Sequence, residues 1–177
     1  MKSIIKIEYF KTPFGELILG SYTNKLCLCD WRYRKMRHSI DKRIKAELNA
    51  EYSESNSDII TETKEQLSQY FKAERKEFSI PLLLIGSDFQ KSIWEALLAI
   101  PYGTTESYAG LSKKMKNEKA IRAVASANGA NTIAILVPCH RIIGSDEKLV
   151  GYAGGLATKQ KLLELENALN INQLSLF

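Results

Sequence analysis

The spacing of apolar residues changes its period along the chain. Near the start Ile5, Ile7 and Tyr9 alternate with polar residues, the two-residue period of a strand buried on one face. Thr12-Pro13-Phe14-Gly15 reads as a turn, Glu16 to Tyr22 as a second strand, Asn24-Lys25 as another turn and Leu26 to Trp31 as a third strand. Together they predict an antiparallel meander. Strict alternation in the third strand would put Cys27 and Cys29 on the face opposite Leu26 and Leu28. Arg32 to Lys45 is strongly basic, which suits a solvated face and secondarily a phosphate-contacting patch. Tyr52 to Asp58 is polar and serine-rich and is expected to be a mobile loop. The period then lengthens. Ile60, Lys64, Leu67, Tyr70 and Phe71 predict an amphipathic helix over residues 59–72 that covers one face of the meander.

Residues 73–88, punctuated by Pro81 and Gly86, read as an extended connection with a domain boundary near residue 86. Beyond it Asp88 is the expected N-cap of a helix whose apolar face carries Phe89, Ile93, Trp94, Leu97 and Leu98, with Phe89 and Trp94 in the core. Ile100-Pro101-Tyr102-Gly103 ends it. Ser107–Met115 and Glu118–Ala127, joined by Lys116-Asn117, predict a helix-turn-helix with Leu111, Met115, Ile121 and Val124 in a shared core. Gly144 to Lys148 is a surface turn, Gly151-Tyr152-Ala153-Gly154-Gly155 a glycine-dense loop, and Leu156 to Leu169 a last helix with Leu162, Leu163 and Leu169 inward. The tail from Asn170 is expected to fray. The pattern predicts an α+β protein: an N-terminal domain over residues 1–85 (sheet plus helix), a helical domain over residues 86–170 and a tail at 171–177.

Composition narrows the class. Of 177 residues 45% are apolar, which is ordinary for a chain with a packed core. The absence of a long apolar run or of a leader-like N-terminus points to the cytoplasm and away from membranes. The net charge of +5 is compatible with a polyanionic partner without requiring one. Between residues 104 and 141 Lys113, Lys114, Lys116, Lys119, Arg122 and Arg141 face only Glu106 and Glu118. Alanines at 120, 123, 125 and 127 make the second helix slim enough to approach a nucleic-acid groove, or suit it to close packing. Cys27, Cys29 and Cys139 are an odd set, which argues against a disulfide framework. With two histidines in the chain the usual zinc-ligand spacings are absent, so no metal is expected.

The chemistry concentrates at Ile133–Ile143. Ile133 to Val137 reads as a short buried strand, Pro138 ends it, and Cys139, His140 and Arg141 follow. Three reactive or ionisable side chains beside a buried turn are costly to keep for packing alone. A nucleophilic thiol needs a base or a positive field, and His140 can supply one. If the backbone is extended there, adjacent side chains point apart, and a bridging water is more reasonable than direct contact.

Pro138-Cys139-His140-Arg141 followed by two β-branched residues is similar to the active-site signature of the O6-alkylguanine-DNA alkyltransferases. The match runs from Phe89 to Glu166 through Gly103, Tyr108, Arg122, Asn131 and Gly151-Tyr152-Ala153-Gly154-Gly155, in the family's order and spacing, and looks like the bacterial constitutive type. The resemblance implies a ribonuclease-like N-terminal domain and a winged-helix-like DNA-binding domain. It also implies irreversible, single-turnover transfer of an alkyl group from O6-alkylguanine, and from O4-alkylthymine, in double-stranded DNA to Cys139. The protein would act as a monomer without a cofactor. In that reading Glu166, His140 and water activate Cys139, Tyr108 eases rotation of the nucleotide and donates to the leaving purine, and Asn131 fixes the turn. Arg122 fills the stack vacated by the flipped base, with Ala123, Ala127 and Arg141 on the DNA side and the helix in the minor groove. Val137 and Cys139 would offer backbone atoms to the base, and Tyr152, Ala153 and Gly154 would wall the pocket. This chain has Thr132 where many relatives have proline, and Ala153 where others have serine. Two other readings are a hydrolase or acyltransferase using Cys139, His140 and Glu166, which would turn over, and a damage sensor without chemistry, against which the presence of Cys139 counts.

Overall fold

The computed structural model describes residues 1–169, so the tail from Asn170 lies outside the described residues. The chain forms two compact units, Met1–Ile85 and Gly86–Phe177.

In the first unit β1 (Ser3–Thr12), β2 (Gly15–Tyr22) and β3 (Lys25–Trp31) form the antiparallel meander. Its first turn is closed by Thr12, whose hydroxyl donates to the Gly15 carbonyl at 2.6 Å and accepts from Phe14 N at 3.1 Å. The sheet has a fourth strand, β4 (Ala50–Glu54), parallel to β1, giving the order β3-β2-β1-β4. A parallel neighbour requires a crossover, and α1 (Arg37–Leu48) supplies it. The expected mobile loop therefore begins as a strand, and most of the expected solvated face is a helix. Only Ile40 and Ile44 of α1 are buried, too few apolar positions to declare a helix from the sequence. Two of the basic residues are also internal: Arg34 and Arg37 reach the fully buried Asp30 carboxylate at 3.0 and 2.8 Å.

The strict alternation expected in β3 fails at a bulge. Gly20 pairs with Leu28 and Ser21 with Leu26, which leaves Cys27 as the extra residue. Cys27 and Leu28 consequently enter the same buried cluster as Ile5, Ile18, Ile40 and Ile44. Gly20 permits the approach, since a Cβ there would lie 2.9 Å from Leu28 Cβ. Helix α2 (Asp58–Phe71) starts at Ser57, whose hydroxyl accepts from Ile60 N at 3.2 Å, and buries Ile60, Leu67 and Tyr70. Lys64 of the predicted stripe pairs with Glu8 at 2.9 Å instead of packing.

In the second unit α3 (Asp88–Leu98) is capped by Ser87, not by Asp88. Ser87 accepts from Gln90 N at 3.2 Å while Gln90 accepts from Ser87 N at 3.0 Å, a capping box that leaves Asp88 to favour the helix dipole from the first turn. Trp94 is buried and donates from Nε1 to the Ala127 carbonyl at 2.8 Å. Phe89 is not core: it is 40% exposed, because the apolar stripe continues into the first helical turn beyond the packed surface. A short parallel pair joins β5 (Glu106–Ser107) to β6 (Ile142–Ile143). Between them in sequence, α4 (Tyr108–Lys114), a 3-10 turn at Glu118–Ala120 and α5 (Ile121–Gly129) form the helix-turn-helix. Leu111 and Val124 are buried, whereas Ile121 is exposed at the start of α5. Helix α6 (Leu156–Leu165) is shorter than expected, because Glu166 is its C-cap and Asn167 turns left-handed at φ 55°. Among the described residues no helix is long and apolar enough to cross a membrane.

Candidate active site

The stretch Ile133–Val137 is buried as expected, but it is a tight turn and not a strand. Val137 N donates to Ile133 O at 3.0 Å and Leu136 N to Ala134 O at 2.8 Å. One side chain closes it: Asn131 Nδ2 donates to the carbonyls of Ile133 at 3.3 Å and Val137 at 3.0 Å, and Asn131 Oδ1 accepts from Ile133 N at 3.0 Å. The turn drives Ile135 to φ 72°, a region costly for a β-branched residue. Burial on all sides and the Asn131 amide hold it there. Thr132 is buried in a turn that the asparagine already closes. The Val137 carbonyl also accepts from Cys139 N at 2.8 Å. Both of its partners thus lie inside the turn.

Cys139–Arg141 is a single 3-10 turn, with Arg141 N donating to Pro138 O at 3.0 Å. The backbone is not extended here, so the three side chains fan around an axis and do not alternate. His140 is fully buried, its Nε2 is 2.7 Å from Glu166 Oε1, and its Nδ1 has no hydrogen-bond partner among the described residues. Arg141 does not lie on a DNA-facing surface. It is 6% exposed and donates from Nε to Glu166 Oε2 at 2.8 Å, from Nη2 to Oε1 at 3.0 Å and from Nη1 to the Ile100 carbonyl at 2.6 Å. A bidentate pair with a buried carboxylate explains the burial of an arginine that the sequence counted among surface bases. Gly103 N approaches Glu166 Oε2 at 3.4 Å. Glycine is needed there because φ is 77° and a Cβ would come within 3.0 Å of the Glu166 carbonyl.

The electrostatics follow from these contacts. Burial tends to raise the pKa of Glu166, but the hydrogen bonds and charges of His140 and Arg141 outweigh it and hold the carboxyl at about 2. Burial lowers the pKa of His140 against the pull of Glu166, and the charges of Arg141 and Lys159 lower it further. The imidazole is therefore neutral near neutral pH, and the Arg141 guanidinium is the positive charge paired with the Glu166 carboxylate. With Nε2–H donated to the carboxylate, the Nδ1 lone pair is the free basic site.

Tyr108 opens α4 half-buried, and burial and the charge of Cys139 raise its pKa while a hydrogen bond from Asn128 opposes them. Tyr152, Ala153 and Gly154 are half-buried, and the Tyr152 ring meets the His140 ring edge-on at 6.5 Å. On α5 Arg122 and Ala123 are exposed, but Ala127 is 2% exposed and faces the core. The buried Lys159 and Asn128 escaped the sequence reading. Lys159 is fully buried and donates to the carbonyls of Ile142, Val150 (2.8 Å) and Gly151 (3.3 Å), tying the glycine loop to β6. Burial lowers its pKa to about 8 against the charge of Cys139. Its position carried a signal: Lys159 and Glu166 share the helical stripe of Leu162 and Leu163. Asn128 likewise follows Val124 and Ala127 on the inner face of α5. Among the described residues no cluster of three His, Cys, Asp or Glu could hold a metal. Burial pushes Cys27 up to about 12 and Cys29 higher still, so both are inert thiols.

Comparison with known proteins decides the family. The 6-O-methylguanine DNA methyltransferase DNA-binding domain matches residues 88–168, and the ribonuclease-like domain of the same proteins matches residues 5–84. The methylated-DNA–protein-cysteine methyltransferase of Mycobacterium leprae is 41% identical over 98% of this chain and 99% of its own. The chain belongs to the 6-O-methylguanine-DNA methyltransferase family. Its relative in Methanosarcina acetivorans, with the same name, is 41% identical over 90% of this chain and 96% of its own. Among solved structures the Mycobacterium tuberculosis OGT in complex with DNA matches with a TM-score of 0.77 at 36% identity, covering 93% of this chain and 92% of that one. The O6-methylguanine methyltransferase of the same organism matches with a TM-score of 0.76 at 37% identity, covering 92% and 93%. In this methyltransferase chain the ribonuclease-like region precedes the DNA-binding region, and Cys139 lies within the second.

Proposed function

We propose that this protein repairs DNA by accepting the alkyl group of O6-alkylguanine, and of O4-alkylthymine, on Cys139, and that it acts once, as a monomer and without a cofactor. The observation that carries the reading is the buried His140–Glu166–Arg141 cluster ending on an unpartnered Nδ1 next in sequence to the cysteine. A hydrogen-bonded ionised carboxylate fixes the imidazole tautomer, and the lone pair left over takes the thiol proton, through a water where the contact is not direct.

The step balances without a co-reactant. The Cys139 thiolate attacks the alkyl carbon, a C–S bond forms, the bond from that carbon to O6 breaks, and the electron pair passes into the purine. Tyr108 protonates the purine and regains a proton from the set that took the thiol proton, so guanine leaves neutral. A thioether is a poor leaving group, and the chain is spent.

Access requires the damaged base to leave the stack, because the alkyl group lies inside the duplex. Arg122, exposed near the start of α5, is the side chain that occupies the vacancy, and Ala123 lets the helix backbone come close to the groove. Tyr152, Ala153 and Gly154 wall the pocket. Intact mass after incubation with excess O6-methylguanine duplex tests the reading. One methyl group per chain on Cys139, none in Cys139→Ser with duplex affinity retained, is the expected result. Multiple turnovers would move the assignment to a hydrolase.

A further inference from the structure

The segment after α3 ends against the buried charge cluster. Ile100 O accepts from Arg141 Nη1 at 2.6 Å, and Gly103 N approaches Glu166 Oε2 at 3.4 Å. Between them in sequence, the half-buried Tyr102 turns its side chain to the same cluster. Its ring centre lies 5.8 Å from the Arg141 guanidinium carbon, within the range at which a cation is drawn to an aromatic face. Its hydroxyl donates to the Leu165 carbonyl at 3.3 Å.

The places of these partners give the contacts their meaning. Leu165 is the last residue of α6 and Glu166 its C-cap. The final carbonyls of a helix have no intrahelical partner, so a side-chain donor there holds the last turn together. That turn delivers Glu166 to His140. Arg141 is the guanidinium that grips both carboxylate oxygens. Burial and the charge of Glu166 raise the pKa of the phenol, which keeps it a donor. The turn from Pro101 to Thr104 requires glycine at position 103, where φ is 77°, but makes no such demand at position 102.

We propose that Tyr102 is a positioning residue for alkyl transfer, its ring and hydroxyl holding Arg141 and the end of α6 so that Glu166 Oε1 stays on His140 Nε2. This rests on the reading of His140 as the base that takes the thiol proton. Tyr102 touches neither the thiol nor the imidazole and acts through Glu166 and Arg141.

The test is the pH profile of single-turnover transfer at saturating O6-methylguanine duplex, followed by intact mass, for Tyr102→Phe, Tyr102→Leu and His140→Gln. Tyr102→Phe keeps the ring and loses the bond to Leu165. Its plateau rate should fall about three- to fivefold, within the value of one hydrogen bond. Tyr102→Leu also loses the ring and should fall about tenfold or more. A loosened carboxylate supports the imidazolium less, so the acid limb of both variants should move to lower pH while the plateau drops. Duplex affinity should not change. If Tyr102→Leu folds poorly, Tyr102→Phe decides.

A lower plateau with an unmoved acid limb would overturn the proposal. So would a smaller fraction of alkylated chains at the parent's rate, which marks a purely structural role. Parent-like Tyr102 variants beside a slow His140→Gln would overturn the proposal and leave the base reading standing. A parent-like His140→Gln would overturn both.

Discussion

His140 Nε2 and Glu166 Oε1 are 2.7 Å apart with both side chains sealed from solvent. A neutral imidazole against an ionised carboxylate is stable there because Arg141 supplies the positive charge. The same geometry ties the end of α6 to the cysteine turn and, through Ile100 and Gly103, to the segment after α3. Catalytic and structural demands fall on one carboxylate, which makes the consequences of perturbing it separable by pH.

The acid limb of the stability curve should carry its signature. The carboxyl of Glu166 sits at about 2, below its ordinary 4.5, so the unfolded chain binds this proton first on acidification. Its contribution is complete above the ordinary value and disappears as pH falls through the folded one, about 3 kcal/mol in all. His140, whose folded pKa is lowered, adds a loss in the same direction that begins near its ordinary 6.5. Denaturant titrations of the parent from pH 7 to pH 2 should show both phases. Glu166→Gln should be less stable at pH 7 and should lack the Glu166 phase between about pH 4.5 and pH 2 while keeping that of His140, and an unchanged acid limb in that variant would contradict the assignment.

Arg141 should behave as a structural residue and not as a phosphate contact. Arg141→Met removes the partner of a buried carboxylate and should cost about 3 kcal/mol or more. The salt dependence of duplex binding should keep its slope, because no phosphate contact is lost. A slope smaller by about one unit would return Arg141 to the DNA surface.

Transfer should not depend on metal. Incubation with a chelator followed by the single-turnover assay is expected to leave rate and stoichiometry unchanged. Inactivation that zinc reverses would require a ligand set different from any cluster described above.

Which features were legible in the sequence follows from how each is encoded. β1 to β3 and α2 carry their own period and turn residues, so local pattern sufficed. Helix α1 was hidden because a crossover packed at only Ile40 and Ile44 needs few apolar positions, and its bases read as solvent-facing. The short motif around Cys139 marked the site, but its conformation depends on long-range partners. The Asn131 amide converts a β-branched run into a tight turn, and Glu166 draws Arg141 inward. The buried Lys159 and Asn128 were readable only as polar residues out of place on apolar helical stripes. The role of Lys159 appears once the carbonyls it meets are known.

Delivery of the base and the chemistry on it should separate at Arg122. This side chain is exposed on α5 and touches neither the His140–Glu166 pair nor the turn around Cys139. Its removal leaves the nucleophile as it was. In duplex DNA the flipped state then loses the group that fills the vacated stack, whose unstacking costs a few kcal/mol. Arg122→Ala should therefore slow repair of an O6-methylguanine duplex by about a hundredfold, taking about 2.7 kcal/mol of that cost as lost compensation. A free base such as O6-benzylguanine needs no extrusion, so its reaction with the same variant should stay within about threefold of the parent, less than the value of one hydrogen bond. Single-turnover rates on the two substrates, measured by mass of the alkylated chain, decide the matter. Equal losses on both would mean that Arg122 shapes the pocket or the fold, and α5 would lose its assigned part in extruding the base.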